Sequence, residues 1–325
     1  MSTGYYNPYS TFSDKKSKWV MANFHMHNIA ITPEYSYTEA GGESFREMAQ
    51  AYKSAGYGLI MHSSQHGWYD SSMLSEELGM TVLNGQEHIF FRDGVLLVNT
   101  DRFYDTQDTQ EAIDGCIARG GFAILNHPNQ NPDLPMPNIP LPFSHTLLAS
   151  LTHAVGVEIY NGCLSRRAYL NVPFGLSLGT DFWDEELTKG HRLWGFGNDD
   201  AHEAYEIHVG WTEIYSRSNK FDDIKMAVMK GALITSRGLR LEKFDFDGHD
   251  IRLKAGYTYQ PCDQVTYRFV GPQGKVLAMQ YGDEGHYKLS GETYVRVEAV
   301  SPDGSMLWTQ PVLRTDIFDV SDIKE

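Results

Sequence analysis

The sequence predicts an α/β barrel of about seven strand-helix units, followed by a small all-β sandwich domain. Between about residues 19 and 236, short apolar runs alternate with helical patterns, which is typical of strand-helix units around a mainly parallel sheet. After residue 237 the segments are short, β-rich and separated by turn signals such as GPQG and SPDG. We therefore expect a barrel domain over residues 1–238 and an accessory β-sandwich over residues 239–325.

The first unit has a clear strand and helix pattern. Residues 18–24 predict a strand, and residues 43–54 predict a helix whose apolar residues recur at the spacing of one helical face. Further barrel strands are predicted at 58–61, 81–84, 122–125, 156–160, 193–197 and 233–235, and helices at 108–118, 144–153 and 221–230. A hairpin around Arg92, Asp93 and Gly94 interrupts the alternation. The sandwich strands are predicted at 241–246, 250–254, 265–270, 276–280, 287–289, 294–300 and 306–313.

Composition and charge limit the kinds of substrate and partner that the chain is expected to bind. Hydrophobic residues make up 41% of the 325 residues and charged residues 21%, so the chain can bury a full core. The formal net charge of -15 repels nucleic-acid phosphates and anionic lipid. We therefore expect a small-molecule substrate, with neither nucleic acid nor a membrane as a partner. The oligomeric state stays open.

The three cysteines give no sign of a disulfide framework or a thiolate zinc site. Cys116, Cys163 and Cys262 lie far apart and in no CxxC spacing, which predicts buried free thiols. The N-terminal residues lack a basic start followed by an apolar run, and no stretch approaches the ~18 apolar residues that cross a bilayer. The resulting expectation is a cytoplasmic protein.

Histidines and acidic residues cluster where the predicted strands end, and barrel enzymes keep their active sites at those ends. His25 and His27 follow the first strand at i and i+2, so an extended backbone would present both imidazoles on one face, as chelation of one ion requires. Imidazole and carboxylate are ligands that zinc, manganese and iron share. The candidates after later strands are His62, His66, Glu87, His127, Glu158, Asn161, Asp199, Asp200 and His202.

Five short motifs occur in a fixed order over about the first 240 residues. They are Phe24-His25-Met26-His27, Gly85-Gln86-Glu87, Asn126-His127-Pro128, Val157-Glu158-Ile159-Tyr160-Asn161-Gly162 and Asp199-Asp200-Ala201-His202. As an ordered set they resemble the PHP (polymerase and histidinol phosphatase) metallohydrolases, in the branch that joins the barrel to a C-terminal β-sandwich. The ordered set is specific evidence for this resemblance, although any one motif alone would be weak evidence.

The resemblance implies a distorted (β/α)7 TIM-like barrel, up to three Mn, Fe or Zn ions, and phosphate ester hydrolysis as the commonest activity. The ligands that it implies are His25, His27, Glu87, His127, Asp200 and His202. Where the family usually has Thr-Asp-His, this chain has a run from His62 to His66, so the usual aspartate is missing. We expect His66 or His62 to replace it as a metal ligand, and we count His66 among the ligands. The Ser-Asp-Gly often found soon after the first motif is absent as well. We therefore expect one to three divalent ions per chain, with one or two as the expected number.

A divalent ion in such a site would lower the pKa of bound water from about 15.7 toward about 7, which provides hydroxide at neutral pH. Arg166 would take up charge that develops on a phosphoryl oxygen, and His202 or His66 would protonate the leaving group. The expected function is a phosphoesterase that acts on a small phosphorylated molecule. One alternative is amide or carbamate hydrolysis on the same metal site, and another is a catalytically degenerate protein that binds metal or carbohydrate.

Overall fold

The computed structural model describes residues 4–12, 14–27, 45–65, 67–68, 70–90, 93–129, 145–167, 177–257, 262 and 264–323, with the backbone alone at 93, 166 and 167. The chain packs as two compact units. The α/β unit comprises Val20–Phe182 and Phe196–Trp211, and the β unit comprises Met1–Trp19, Trp183–Gly195 and Thr212–Glu325. The domain division predicted at residue 238 stays a prediction, because compact packing alone does not define independently folding domains.

The strands and helices are numbered in chain order. The strands are β1 (Tyr5–Tyr6), β2 (Lys18–Asn23), β3 (Leu59–Ser64), β4 (Thr81–Phe90), β5 (Asp93–Val98), β6 (Phe122–Leu125), β7 (Gly156–Asn161), β8 (Trp194–Asn198), β9 (Trp211–Ser216), β10 (Leu233–Arg237), β11 (Leu239–Phe246), β12 (Asp250–Tyr257), β13 (Val265–Gly271), β14 (Lys275–Gly282), β15 (Gly285–Lys288), β16 (Tyr294–Val300), β17 (Met306–Thr309) and β18 (Val312–Arg314). The helices are α1 (Phe45–Ser54), α2 (Met73–Leu78), α3 (Thr109–Ala118), α4 (His145–Ser150), α5 (Gly162–Arg167), α6 (Thr180–Thr188) and α7 (Phe221–Met229). No helix in the described part of the chain is long and apolar enough to cross a membrane.

The α/β unit is built on a mixed sheet with the strand order β2-β3-β4-β5-β6-β7-β8. The pairs β2/β3, β3/β4 and β6/β7 are parallel, and every residue of β6 and β7 is buried. Strand β5 pairs antiparallel with both β4 and β6. The β4–β5 hairpin therefore falls where the sequence predicts one, although residues 91–92 at its tip lie outside the described residues. Strands that are buried on both faces read as continuous apolar runs, which is why the sequence reveals them.

The predicted (β/α)7 TIM-like barrel is not confirmed, because no closed barrel is found among the described strands. The segments that follow β2 and β8 meet instead through an isolated parallel bridge between Met26 and Ala201. Two fully buried asparagines add side-chain hydrogen bonds there: the side chain of Asn198 accepts a hydrogen bond from the backbone of Phe24 at 2.8 Å. The side chain of Asn23 accepts one from the backbone N–H that follows Asn198, also at 2.8 Å. Side-chain hydrogen bonds thus supplement a short stretch of backbone pairing at these two strand ends.

Most predicted elements lie within one or two residues of the observed ones. The strand predicted at 81–84 continues to Phe90 as β4, so Glu87 lies within a strand rather than after it. Helix α4 ends at Ser150, shorter than predicted. Strands β1 and β9 and helices α2, α5 and α6 were missed. The strand predicted at 233–235 as the last of the barrel is β10, which pairs antiparallel with β17 in the β unit.

The β unit contains two sheets that share one core. One has the order β1-β18-β16-β17-β10-β9, with β13 pairing with both β14 and β16, and the other has the order β11-β12-β15. Buried side chains from both sheets form a single cluster, including Leu241 and Leu253 from the smaller sheet and Phe269 and Val297 from the larger one. Residues 239–323 therefore supply most of a two-layered β structure, and β1, β9 and β10 add strands from earlier in the chain.

A buried ion cluster lies within the β unit. Arg296, which is 1% exposed, donates from Nε and Nη2 to both carboxylate oxygens of Asp184 at 2.8 and 2.6 Å. Its Nη1 donates to Glu298 at 2.9 Å, and the guanidinium lies 5.0 Å from the ring centroid of Trp183. The guanidinium contacts both carboxylates, and without it the buried Asp184 would be uncompensated, whereas Glu298 also pairs with Arg268 at 2.7 Å.

Arg296→Met should lower the free energy of unfolding by about 3–5 kcal/mol, because Asp184 would remain buried without its counter-charge, whereas Glu298 would keep its ion pair with Arg268. Urea unfolding followed by circular dichroism measures this loss. Arg252→Met is the control, since the Arg252 side chain is 44% exposed and a change of about 0.5 kcal/mol or less is expected. Similar losses in the two variants would contradict a special role for the buried cluster.

Candidate metal centre

The segment after β2 delivers two imidazoles to one point. His25 and His27 are buried, with exposures of 0% and 3%, and their Nε2 atoms lie 3.2 Å apart. Two imidazole nitrogens that both present lone pairs repel each other at this distance unless a proton or a cation lies between them. The structure therefore places these two side chains together, as their spacing in the sequence predicts.

Two buried carboxylates face this pair. Glu87 on β4 places its oxygens 3.3 Å from Nε2 of His25 and 3.1 Å from Nε2 of His27. Asp200, which follows β8, places Oδ1 3.4 and 3.1 Å from the same two nitrogens. Acidic side chains from two distant strands thus converge on one histidine pair.

His127, which follows β6, completes the cluster. Its Nε2 lies 2.8 Å from Oε1 of Glu87. Two groups of three side chains each bring their ligand atoms within 4.8 Å of one another, and these groups are His25, His27 and Asp200, and His25, Glu87 and His127. The structure thus brings together five of the seven predicted ligands, all of them buried.

The electrostatics of the cluster favour positive charge at the imidazoles. Burial lowers the pKa of His25, but neighbouring carboxylates outweigh burial and hold this pKa well above its usual range. These carboxylates belong to Asp200, Glu87 and Glu158. Burial likewise lowers the pKa of His27, whereas Glu87 and Asp200 raise it to about 10. Burial raises the pKa of Glu87, but the imidazoles of His25 and His27 hold it well below its usual range. The site is a place where a cation would be stabilised.

The donor set fits a divalent metal ion. Two ligand atoms about 2.1 Å from one ion lie about 3.0–3.4 Å apart at octahedral or tetrahedral angles. The contacts that join His25 and His27 to each other, to Glu87 and to Asp200 measure 3.1–3.4 Å. Imidazole nitrogen and carboxylate oxygen are the donors that zinc, manganese and iron share. Both the spacing and the chemistry therefore suit an ion of this kind.

Two further candidate histidines lie beside the cluster but belong to neither group. The ring centroid of His202 is 4.7 Å from that of His27, and its Nδ1 lies 3.0 Å from the carbonyl oxygen of Asp200. His62 stacks on Phe45 with ring centroids 4.2 Å apart. Burial and the charge of His27 lower the pKa of His62 to about 3, so this ring is neutral at ordinary pH. Its surroundings are those of a core histidine, whereas His202 is 21% exposed at the edge of the cluster.

Two predicted catalytic residues cannot be placed. His66, predicted as a ligand and proton donor, lies outside the described residues. So does the side chain of Arg166, although its backbone belongs to α5, which directly follows β7. Their predicted roles stay predictions. The position of α5 does mean that Arg166 follows the strand that carries Glu158.

Asp199 is adjacent to Asp200 in the chain, but it stabilises the fold and belongs to neither group of ligand atoms. Its fully buried carboxylate accepts five hydrogen bonds of 2.7–3.2 Å. The donors are the hydroxyls of Tyr52 and Tyr57 and the backbone N–H groups of His208, Val209 and Gly210. Asp199 therefore ties α1 and the segment after it to the loop that follows β8.

Sequence reasoning assigned no role to three fully buried asparagines, Asn23, Asn126 and Asn198. Asn126 Nδ2 lies within hydrogen-bonding distance of both Glu87 Oε1 and His127 Nε2. Asn23 and Asn198 link the ends of β2 and β8. The signal that could have found them is an apolar run that stops at an asparagine immediately before a histidine or acidic motif.

Asp199→Asn should destabilise the fold and spare metal binding. An amide there would turn N–H groups toward buried donors, at a cost of about 1–3 kcal/mol for each group left unsatisfied, so we expect a lower melting temperature in chelator. Asp200→Asn should instead weaken zinc binding by about 10-fold or more, measured by competition with a chelator. Equal losses of zinc affinity in the two variants would contradict the separate roles.

No protein-family model matches the sequence, and no curated protein matches it. Among solved structures, the chain is similar to a two-domain protein from Bacteroides vulgatus that contains a predicted PHP-like metal-dependent phosphoesterase. The two chains are 14% identical, and the similarity covers 92% of this chain and 96% of that chain with a TM-score of 0.45.

Proposed function

We propose that this chain is a metal-dependent hydrolase, and more specifically a phosphoesterase that acts on small phosphorylated molecules. The observation that carries the proposal is the convergence of three imidazoles and two carboxylates, all buried, from β4 and from the segments that follow β2, β6 and β8. Burying ionisable side chains is costly unless they are paired or bind a metal, so packing alone does not account for five of them at one point. The motifs that resemble the PHP family support phosphate esters as the substrate class.

The cluster would hold one or two Mn, Fe or Zn ions. His25, His27 and Asp200 would bind one ion, and Glu87 and His127 would share it or bind a second. Nε2 of His25 belongs to both groups, and a single lone pair serves a single ion. In a two-ion site, Glu87 and His127 would therefore hold the second ion without His25.

A bound ion would supply a Lewis acid that polarises a phosphoryl oxygen and lowers the pKa of a water molecule toward neutrality. The burial of Glu87, His25 and His27 keeps bulk water from screening this site. His202 contacts the carbonyl oxygen of Asp200 through Nδ1, so that nitrogen carries a proton and Nε2 is the atom at which the ring would exchange one. Its partial exposure at the edge of the cluster suits it to protonate a leaving group.

Protein purified without chelator should contain one or two Mn, Fe or Zn ions per chain by elemental analysis. His25→Ala should lose them, because His25 belongs to both groups of ligand atoms. His249→Ala, which changes an exposed histidine of the β unit, should retain them. A wild-type chain that takes up no ion after reconstitution would overturn the proposal.

In the presence of Mn, the chain should hydrolyse p-nitrophenyl phosphate, and His27→Ala should lower kcat/KM by about 100-fold or more because a buried ligand is removed. His249→Ala again serves as the control and should match the wild type. Turnover of amide or carbamate substrates without turnover of phosphate esters would favour the alternative hydrolase. Sugar binding with no turnover of either class would favour a degenerate binding protein.

A further inference from the structure

Glu158 lies on β7 and is 1% exposed, yet it belongs to neither group of ligand atoms. Its Oε1 faces Nδ1 of His25 at 3.0 Å and accepts from Nδ2 of Asn198 at 2.9 Å. Its Oε2 accepts from the backbone N–H of His127 and from Nδ2 of Asn161, both at 3.0 Å. We infer that Glu158 is a positioning residue that fixes two of the proposed ligands and does not itself bind the ion. The inference rests on the proposed metal site.

The contact with His25 selects which of its nitrogens faces the ion. A carboxylate can only accept, so Nδ1 of His25 carries the proton in this contact. In the neutral ring that can bind a metal, the lone pair then lies on Nε2, the atom that faces Glu87 and Asp200. A histidine that donates its second ring nitrogen to a carboxylate is held in one tautomer and one ring orientation, which strengthens it as a ligand.

The contact with His127 holds an uncommon backbone conformation. His127 has φ of 21°, a positive value that costs a residue with a side chain about 1–3 kcal/mol. The hydrogen bond from its N–H to Oε2 of Glu158 is one of the contacts that keep this turn in place. Since His25 follows β2 and His127 follows β6, one carboxylate on β7 sets the positions of ligands from two other strands.

All four contacts to Glu158 come from N–H donors, so only a carboxylate fits its position. Its two oxygens have about four acceptor sites, and all are used, which leaves none for an ion. A glutamine would place its NH2 group against two donors in either amide orientation. Asn161 extends the same network, because its Nδ2 also lies 3.1 Å from Oδ2 of Asp200.

Glu158→Asp keeps the charge but shortens the side chain by one methylene, so it cannot reach both His25 and His127. The zinc dissociation constant should rise by about 10–100-fold, measured by chelator competition on the folded protein. Glu158→Gln should not rescue this loss. The matched control is Glu213→Asp, the same change at a fully buried carboxylate that accepts from Arg240 in the β unit. The control should lower the melting temperature and leave zinc affinity unchanged.

Nitrogen-15 NMR of the zinc-loaded wild type tests the same inference without a variant that must fold. Nδ1 of His25 should carry a proton and Nε2 should show metal coordination, whereas a proton on Nε2 would overturn the inference. Wild-type zinc affinity in Glu158→Asp or Glu158→Gln, or an equal loss in the Glu213→Asp control, would overturn it as well. A wild-type chain that binds no zinc would instead overturn the proposed metal site, and this inference with it.

Discussion

Three carboxylates, those of Glu87, Glu158 and Asp200, are buried close together, and the rest of the site depends on how their charge is compensated. An uncompensated buried carboxylate costs several kcal/mol, and its neighbours add repulsion. Compensation comes from imidazoles for Glu87 and Asp200, and largely from N–H donors for Glu158. Because these partners follow different strands, the site exists only when the strand ends are brought to the same place.

Asparagines at those ends provide much of this alignment. Asn23, Asn161 and Asn198 are the last residues of β2, β7 and β8, and Asn126 directly follows β6. An amide side chain both donates and accepts, so it can satisfy backbone groups where a ladder stops and orient a neighbouring side chain as well. Asn198 does both: it accepts from the backbone of Phe24 and donates to Glu158. The asparagines at these strand ends therefore also position the side chains of the proposed site.

Local sequence patterns predict the fold well where strands are apolar and poorly where buried residues are charged. Strand β6 has the predicted bounds because all four of its residues are apolar. Helix α6 and strand β9 were missed, and each carries buried acids whose partners lie far away in the chain, such as Asp184 with Arg296 and Glu213 with Arg240. Before folding, nothing near these acids in the sequence shows that they will be neutralised.

The candidate site was predictable in outline, since chelating residue types at strand ends are visible in the sequence. The different tasks of neighbouring residues were not. Asp199 and Asp200 are consecutive carboxylates. Only the folded chain shows that Asp199 accepts hydrogen bonds from tyrosine hydroxyls and backbone N–H groups, whereas Asp200 contacts imidazoles. Likewise, the sequence left open whether Glu158 touches metal, because its four hydrogen-bond donors come from β2, β6, β7 and β8 or the residues that follow them.

The backbone at two proposed ligands is held in an uncommon conformation by hydrogen bonds within the protein. Asp200 and His127 have positive φ values of 49° and 21°, conformations that are costly for residues with side chains. Both are held by hydrogen bonds within the protein: the N–H of Asp200 donates to the carbonyl oxygen of His25 at 2.9 Å, and that of His127 donates to Glu158. Folding therefore stabilises the strained turns through contacts that need no metal. An ion would meet donors already in place, and little of its binding free energy would be spent on ordering them.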